Sequence, residues 1–321
     1  MPRPLLFALL LFSCLALAGS AQAPDDTVVI PLNARRILFL GDSITHAGEY
    51  IALLEAQLRL QGAAHIPEFI NVGLASETCS GLTEKVHPFP RPDVHERLDR
   101  ALAKVKPDVV VACYGMNDGI YHPFAEERFA AYQAGIHRLI EKVHASGAKI
   151  VLLTPPPFDA GTLRSKGVLR PATADDFGYT GMYEDYDRDV LQRYGEWLMT
   201  QTDKADMVVN IHRPITAFLA ERRKSDPEFT TAPDGVHPNS EGHLAIAQAI
   251  ASAWGITDWK DVPVDLLDLE KQRTTILHDA WLSDIGHLRP GIAPGLPVAD
   301  AQAQAAEVEK QIVARVSSTK P

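Results

Sequence analysis

Short apolar runs alternate with stretches of helical periodicity from residue 37 onward. Five of these runs are four to six residues long, rich in Val, Ile and Leu, and almost free of polar alternation. Such runs are typical of strands that are buried on both faces of a sheet. The predicted strands are residues 37–40, 69–72, 109–114, 150–154 and 207–211.

The stretches between the runs predict amphipathic helices. In residues 126–145, for example, Phe129, Tyr132, Ile136 and Ile140 recur at spacings of three and four, which places them on one helical face. Strands that alternate with helices predict a parallel sheet with right-handed crossover connections. The predicted helices are residues 49–61, 93–104, 126–145, 183–202 and 215–224.

The segment after residue 261 has no strand pattern and predicts two helices around a Gly/Pro-rich loop at residues 290–297. Leu266, Leu269, Ile276 and Leu277 fall mostly on one helical face, so we expect residues 266–281 to dock on the rest of the protein. The pattern therefore predicts an α/β domain over residues 24–260 and a C-terminal helical extension over residues 261–321.

The first 23 residues have the form of a secretory signal peptide. Arg3 gives a positive start, residues 5–18 form an apolar core, and Ala21-Gln22-Ala23 has the small-x-small form of a cleavage site. The core is short for a membrane span. We therefore expect cleavage after Ala23, a periplasmic or secreted protein, and no integral membrane association after cleavage.

The composition of the 321-residue chain is that of an ordinary globular protein, with 46% hydrophobic and 22% charged residues. Its formal net charge of −10 would repel nucleic acid and anionic lipid, so neither is an expected partner. An exported protein is allowed a disulfide, but Cys113 lies in an apolar run where buried free thiols are common. Whether Cys79 and Cys113 pair is left open.

Polar side chains with reactive chemistry follow the predicted strands. Ser43 comes after the first strand, Gly73 after the second and Asn117 after the third, while Asp234 and His237 precede the last helix of the domain. In open parallel sheets, ligands bind outside the carboxyl ends of the strands. The fold pattern therefore gathers these five residues along one edge of the sheet.

These residue types meet the needs of acyl transfer. A serine hydroxyl such as Ser43 becomes a nucleophile when a base such as His237 removes its proton, and a carboxylate such as Asp234 orients the imidazole. The oxyanion that forms needs convergent donors. The N–H groups of Ser43 and Gly73 and the side-chain amide of Asn117 are the candidates for this oxyanion hole.

Four short motifs carry a resemblance to a known family. Residues 41–44 read GDSI, residues 71–73 NVG, residues 115–118 GMND and residues 234–237 DGVH. In this order, the motifs make the chain resemble the SGNH hydrolases, also called GDSL esterases/lipases, over about residues 36–256. The resemblance implies an α/β fold, a flavodoxin-like three-layer sandwich with a five-stranded parallel sheet.

The same resemblance implies roles for single residues. Ser43 would be the nucleophile, His237 the base and Asp234 its orienting partner, with Ser43, Gly73 and Asn117 forming the oxyanion hole. Ile44 stands where the family name has Leu, and both side chains are apolar. The family's chemistry requires no cofactor, and no ligand cluster of sensible spacing accompanies Asp234 and His237, so no metal is expected.

The function expected from these observations is that of an exported serine esterase, with carbohydrate O-acetylesterase as the favoured activity. Its partner would be a small-molecule or glycan ester. Lysophospholipase or short-chain acyl (thio)esterase activity is the alternative, and a non-catalytic carbohydrate-binding module on the same fold is a further one. The acyl group, the alcohol and the oligomeric state are not determined by the sequence.

Substrate-binding candidates lie near the motifs, in the loop after the fourth strand, and in the extension. They are His46, Phe158, Tyr179, His287 and Arg289. Residues 155–187 are expected to form one wall of the cleft, because loops at the carboxyl edge decide substrate choice and aromatic faces stack on sugar rings. The alternatives are that these tyrosines pack the following helix, and that the extension fills a satellite core rather than a rim of the site.

Overall fold

A five-stranded parallel sheet forms the centre of the computed structural model, which describes residues 31–318. The predicted signal peptide, residues 1–23, lies outside the described residues. The sheet has the strand order β2-β1-β3-β4-β7. Its strands are β1 (Arg36–Gly41), β2 (Glu68–Asn71), β3 (Val109–Cys113), β4 (Lys149–Leu153) and β7 (Met207–Val209).

The sheet confirms the predicted fold class. Each predicted strand lies within two residues of an observed one at either end. Every residue of β3 is buried, as expected for a strand covered on both faces. The order is that of flavodoxin-like sheets, in which the strand order reverses between β1 and β3 and opens a crevice at their carboxyl ends.

Helices cover both faces of the sheet. One layer contains α2 and α7, which pack on each other, and α6, which packs on α7. In the other layer α3 lies beside α4, and Tyr132 of α4 stacks on Tyr194 of α5 at 4.4 Å between ring centroids. Within residues 31–318, no helix is both long enough and apolar enough to cross a membrane. The helices of this core are α1 (Ser43–Ala47), α2 (Glu49–Leu60), α3 (Val94–Val105), α4 (Glu126–Ala145), α5 (Gln192–Leu198), α6 (His212–Arg222) and α7 (Ser240–Ala253).

The segment between β4 and α5 differs from the predicted helix over residues 183–202. A 3₁₀ helix (Ala160–Lys166) precedes a small parallel ribbon of β5 (Leu169–Arg170) and β6 (Met182–Tyr183), and a π-helical turn (Asp187–Leu191) leads into α5. The backbone N–H of Tyr183 donates to the carbonyl of Tyr121 at 2.9 Å. This bond fixes the segment to the loop after β3, a long-range contact that helical periodicity cannot reveal.

The C-terminal extension forms the two predicted helices, α8 (Val264–Ile285) and α9 (Val298–Ser317). They pack on each other, and α8 also packs against α2 and the edge strand β2. Covering an edge strand satisfies or shields its outer backbone groups. Leu266 and Trp281 are buried by this packing, so the extension is docked.

A buried ionic network also joins the extension to α2. Arg59 of α2 forms salt bridges with Glu55 at 3.0 Å, Glu270 at 2.7 Å and Glu309 at 2.6 Å. Arg273 of α8 forms a second bridge to Glu55 at 2.8 Å. Because the loss of one partner from a buried ion pair costs about 3–5 kcal/mol, the extension and the core depend on each other for stability.

The two cysteines left open by the sequence do not pair in the structure. Cys79 and Cys113 are both free and buried. Burial raises the pKa of both thiols well above the usual value, so neither is a reactive thiolate. They act here as small apolar side chains.

Candidate active site

Ser43 is the first residue of α1, directly after the carboxyl end of β1. Asp42 caps this helix, because its carboxylate accepts the backbone N–H of Ile44 at 2.9 Å. The N–H of Ser43 lies in the first turn, where no acceptor within the helix is available. The local sequence thus presents a hydroxyl and a free backbone donor at the same helix end.

The turn before α7 brings a histidine to this hydroxyl. The Nε2 atom of His237 lies 2.9 Å from Ser43 Oγ, and its Nδ1 atom lies 2.7 Å from a carboxylate oxygen of Asp234. The other oxygen of Asp234 accepts the backbone N–H groups of Val236 at 3.0 Å and His237 at 2.7 Å. Gly235 has a φ of +82°, which lets this tight turn form.

The electrostatics of the pair match its geometry. The hydrogen bond to Asp234 raises the pKa of the His237 imidazole above its usual value, although partial burial opposes it. Burial would raise the pKa of the Asp234 carboxyl, but the hydrogen bonds from the ring and backbone of His237 hold it well below its usual range. An anionic Asp234 next to a basic His237 can fix the tautomer that leaves Nε2 free to accept the Ser43 proton.

Asn117 is held firmly in the turn after β3. Its side-chain oxygen accepts the hydroxyl of Tyr121 at 2.9 Å, and its amide nitrogen donates to the carbonyl of Glu77 at 3.2 Å. The amide nitrogen carries a second hydrogen that this bond does not use. Ile120 and Tyr121 have φ values of +47° and +59°, a rare conformation for large side chains that stores strain next to the site.

Gly73 is placed differently from its sequence-based expectation. Its N–H donates to the Asn71 side-chain oxygen at 2.8 Å, while the Asn71 amide donates to the carbonyl of Thr45 at 2.7 Å. A Cβ atom at Gly73 would lie 2.4 Å from the backbone nitrogen of His46. Glycine is therefore required by the close approach of α1, and in this structure the Gly73 N–H is engaged by Asn71 rather than free for an oxyanion.

Two histidines meet at the carbonyl of Gly73. His278 of α8 places Nε2 at 2.9 Å from this oxygen and Nδ1 at 2.9 Å from Asp279, and His46 places Nδ1 at 3.2 Å from the same oxygen. The two rings meet edge to face at 4.5 Å. The extension thus reaches the carboxyl edge of the sheet at the end of β2.

A buried network that the sequence did not reveal supports the loops of the site. Glu77 forms two hydrogen bonds to Arg97 at 2.6 and 2.7 Å and accepts the Tyr114 hydroxyl at 2.6 Å. Arg97 also donates to the carbonyl of Val72 at 2.8 Å, so the loops after β2 and β3 share one ion pair. Asp118 accepts two backbone N–H groups of the β2–α3 loop and so anchors this loop to the turn after β3.

The aromatic candidates in the segment after β4 differ in how far they are buried. Phe158 is only 4% exposed and packs edge to face on Tyr186 at 5.8 Å, so the expectation that it stacks on substrate is wrong. Tyr183 and Tyr186 are buried as well, which is the packing alternative. Tyr179 is 40% exposed and keeps a ring surface for a ligand. Sequence periodicity could not separate these rings because it does not show which side of an irregular loop faces the core.

His287 and Arg289, the two substrate-binding candidates in the extension, lie near the N-terminal end of α3. His287 is half-buried, and burial together with the charges of Arg97 and Arg289 lowers the pKa of its imidazole. Arg289 is also half-buried and places its guanidinium 5.3 Å above the ring of Phe89. Among residues 31–318, no group of three or more His, Cys, Asp and Glu side chains is arranged to hold a metal ion.

Comparison with known proteins connects this geometry to a family. The model of the GDSL-like lipase/acylhydrolase family matches residues 39–245, and no curated protein sequence matches the chain. A catalytic mutant of Axe2, an acetylxylan esterase from Geobacillus stearothermophilus, is similar in structure at a TM-score of 0.50 and 19% identity, over 71% of this chain and 97% of that one. A second Axe2 variant gives the same values.

A gut microbial diltiazem-metabolizing enzyme is a further similar structure, at a TM-score of 0.49 and 19% identity. The match covers 69% of this chain and 47% of that protein, so the chain spans about half of its length. At 19% identity, the two Axe2 structures show a shared fold and leave the substrate open.

Proposed function

The chain belongs to the GDSL-like lipase/acylhydrolase family and is a hydrolase of ester bonds, and we propose that it is an exported serine esterase that removes acetyl groups from carbohydrates. The observation that supports this most directly is the continuous chain of hydrogen bonds from Ser43 through His237 to Asp234. Serine acyl transfer uses this order of groups, in which the carboxylate orients the imidazole and the imidazole accepts the hydroxyl proton.

In the first half of the proposed reaction, Ser43 Oγ attacks the ester carbonyl carbon while His237 Nε2 takes the hydroxyl proton. Asp234 holds the Nδ1–H and stabilises the imidazolium that forms. The tetrahedral intermediate then collapses, and His237 returns the proton to the departing sugar oxygen. The products of this half are a free alcohol and an acetyl group on Ser43.

In the second half, water attacks the acetyl carbonyl and gives a proton to His237 Nε2. Collapse of this second intermediate releases acetic acid and returns the proton to Ser43 Oγ. No cofactor is needed to balance these steps. Both halves pass through an oxyanion at the same position, so one set of donors serves both.

The oxyanion donors in this proposal are the N–H of Ser43 and the second amide hydrogen of Asn117. Tyr121 and Glu77 fix the Asn117 amide from both ends, which limits its reorganisation during the reaction. The Gly73 N–H is a third donor only if it turns from Asn71 toward the oxyanion. This site therefore works with two preorganised donors and one that must exchange its partner.

A carbohydrate is favoured over a lysophospholipid by the surroundings of the site. Planar side chains with polar edges, including the exposed Tyr179 and the half-buried His87, lie on the β2–α3 and β4–α5 segments. Sugars stack on such rings and hydrogen-bond to their edges. Export rests on the signal-like residues 1–23, and an extracellular glycan fits that location.

The experiment that tests the proposed function combines covalent labelling with product release. The protein should react with a fluorophosphonate and should release acetate from acetylated xylo-oligosaccharides and from 4-nitrophenyl acetate. Ser43→Ala should lose labelling and lower kcat by several orders of magnitude, whereas Ser252→Ala, an exposed serine of α7, should behave as the wild type. Wild-type protein that hydrolyses lysophosphatidylcholine faster than every acetylated sugar would contradict the carbohydrate substrate.

A further inference from the structure

The last turn of α8 and the residue after it run along α3 toward the edge of the sheet that carries Ser43. Asp284 forms a salt bridge with Lys104 at 2.9 Å, and the carbonyl of Ile285 accepts from Arg100 at 2.8 Å. Lys104 is near the C-terminus of α3 and Arg100 is one turn closer to its N-terminus, so the extension runs toward the N-terminus of α3. This end of α3 is reached from the carboxyl end of β2 through the β2–α3 loop. This direction places Arg289 near the carboxyl edge of the sheet, beyond the N-terminus of α3.

Arg289 ends a row of planar groups that comes from three separate segments. Its guanidinium lies 5.3 Å from the Phe89 ring centroid, Phe89 meets His87 edge to face at 4.6 Å, and His87 meets Tyr179 at 5.4 Å. The first residue belongs to the extension, the next two to the β2–α3 loop, and Tyr179 to the segment between β4 and α5. Such a row offers apolar faces and polar edges to one extended ligand.

Both ends of the row connect, through neighbouring groups, to residues around the candidate active site. At one end, burial and, to a smaller extent, the charges of His278 and Arg289 lower the pKa of His46, whose Nδ1 lies 3.2 Å from the Gly73 carbonyl oxygen. At the other end, the backbone N–H of Tyr179 donates to Glu84 at 3.2 Å, and Glu84 holds Arg91 by two bonds of 2.6 Å.

This second connection continues to the oxyanion donor. The Arg91 guanidinium lies 5.6 Å from the centroid of the Tyr121 ring, and Tyr121 holds Asn117. A ligand on the row would therefore lie next to the two loops that hold Gly73 and Asn117.

The charge of Arg289 is uncompensated by the part of the chain that the structure describes. No carboxylate of residues 31–318 lies within salt-bridge distance of its guanidinium, and its Nη1 donates only to the neighbouring carbonyl of Pro290, at 2.9 Å. Its Nε–H is buried without an acceptor among these residues. The planar fork of N–H donors on an arginine without a carboxylate partner is suited to binding an anionic group of a ligand.

We propose that Arg289 binds a carboxylate on the sugar part of the substrate, so that the natural esters are O-acetylated acidic glycans built on uronic acids. The planar row would stack on the sugar rings while the guanidinium binds the carboxylate through paired N–H groups. This inference rests on the proposed esterase function. Arg289 lies outside the residues 39–245 that match the family, so the specificity belongs to the extension of this chain.

The test compares two substrates that differ in one group: an O-acetylated trigalacturonate and the same compound with its carboxylates methyl-esterified. Acetate release should show a kcat/KM about 10- to 100-fold higher for the free acid, the effect expected for one charge-assisted bidentate contact. In Arg289→Gln this ratio should fall to near one, and in Arg289→Lys it should be intermediate because an ammonium keeps the charge without the fork. Equal kcat/KM for the two substrates in the wild type would overturn the proposal.

A matched control separates this contact from overall charge. Arg315→Gln removes the same charge from α9, where Arg315 is bonded to Asp265, and should leave the wild-type ratio unchanged. A ratio that falls equally in Arg289→Gln and Arg315→Gln would indicate long-range electrostatics and would contradict the subsite.

A binding measurement distinguishes failure of this inference from failure of the proposed function. Calorimetry with Ser43→Ala and unacetylated trigalacturonate should show binding that is lost on methyl esterification and in the double variant with Arg289→Gln. This result would support the subsite even if the wild type hydrolysed none of the esters. Absence of binding, with normal release of acetate from 4-nitrophenyl acetate by the wild type, would overturn the subsite and leave the esterase in place.

Discussion

The hydroxyl of Tyr121 donates a hydrogen bond of 2.9 Å to the side-chain oxygen of Asn117, and both side chains are buried. The bond determines which end of the Asn117 amide faces the proposed oxyanion. Tyr121 is itself fixed by Arg91, which lies over its ring, and by a backbone conformation with positive φ. We infer that Tyr121 positions the Asn117 amide, the side-chain donor to the oxyanion in the proposed mechanism.

Loss of this hydroxyl should reduce catalysis more than binding. In Tyr121→Phe we expect kcat to fall about 10-fold with little change in KM, and in Asn117→Ala about 10²- to 10³-fold, because the donor acts on the transition state. The double variant should be no slower than Asn117→Ala alone, because both substitutions act through the same oxyanion donor. Steady-state kinetics on 4-nitrophenyl acetate measure these effects.

The control for this prediction is Tyr132→Phe, which removes another buried hydroxyl, bonded to the carbonyl of Tyr114 at 3.2 Å. It should lower stability slightly and leave kcat close to that of the wild type. Additive losses in the Tyr121→Phe, Asn117→Ala double variant would show that the two residues act independently.

The pH dependence of activity should reflect the interaction between Asp234 and His237. Only the neutral imidazole accepts the Ser43 proton, so kcat/KM should rise with pH in one step. Because Asp234 raises the pKa of His237, the midpoint should lie above the ordinary histidine value of about 6.5. Asp234→Asn removes the charge that stabilises the imidazolium, so the midpoint should move to lower pH and kcat should fall by roughly 10²-fold or more.

Profiles recorded between about pH 5 and 9 test this prediction. Asp226→Asn, which changes an exposed carboxylate before α7, should keep the wild-type midpoint. A midpoint that Asp234→Asn leaves unchanged would mean that another group titrates in the profile.

Substitution of Gly73 should damage the site through α1. The new Cβ atom of Gly73→Ala would lie 2.4 Å from the His46 nitrogen and 2.5 Å from the Thr45 carbonyl carbon, so the short helix that begins with Ser43 must move. We expect a loss of about 1–3 kcal/mol in the free energy of unfolding and at least a roughly 10-fold lower kcat. Chemical denaturation and steady-state kinetics measure the two effects.

Gly195→Ala serves as the matched control for this change. Its Cβ atom would meet Thr154 at 3.5 Å, an ordinary contact, inside α5. Alanine should stabilise that helix by about 0.5–1 kcal/mol and leave kcat unchanged. Wild-type kcat in Gly73→Ala would show that α1 tolerates the displacement.

Asp42 should make stability depend on pH. Burial raises the pKa of its carboxyl to about 7, above the 3.8 of an unperturbed aspartate. Between these two values the folded state binds more protons than the unfolded state, so this residue lowers stability as pH rises through that window. Asp42→Asn should keep the cap of α1 and gain on the order of 1–3 kcal/mol relative to the wild type between pH 4 and pH 8.

Urea denaturation at both pH values measures this difference. Asp300→Asn, in the first turn of α9, should show no comparable gain. A stability difference between Asp42→Asn and the wild type that is the same at pH 4 and pH 8 would contradict burial of the charge as its cause.

The local pattern of the sequence was sufficient to predict the sheet and the order of the motifs along the chain. An apolar run such as that before Ser43 forms a strand wherever both faces are covered, and a glycine-polar turn ends it, so β1 and the position of Ser43 follow from adjacent residues. The same locality explains the Asp234–His237 contact, because the two residues are three apart in one turn. The prediction that Phe158 stacks on substrate was wrong because an irregular loop has no periodicity that separates buried from exposed rings.

The sequence pattern predicted the strands and the α/β order, because each depends on neighbours within a few positions. The candidate residues for acyl transfer came from the motifs and from the resemblance that they carry. The contacts of Tyr121 with Asn117, of His278 with Gly73 across 205 positions, and of Arg289 with Phe89 were visible in the tertiary structure alone. The His278 and Arg289 contacts depend on where α8 docks against α2 and β2, and the Tyr121 contact depends on the strained turn after β3. Docking is set by the summed packing of many side chains, and no spacing of residues along the chain encodes that sum.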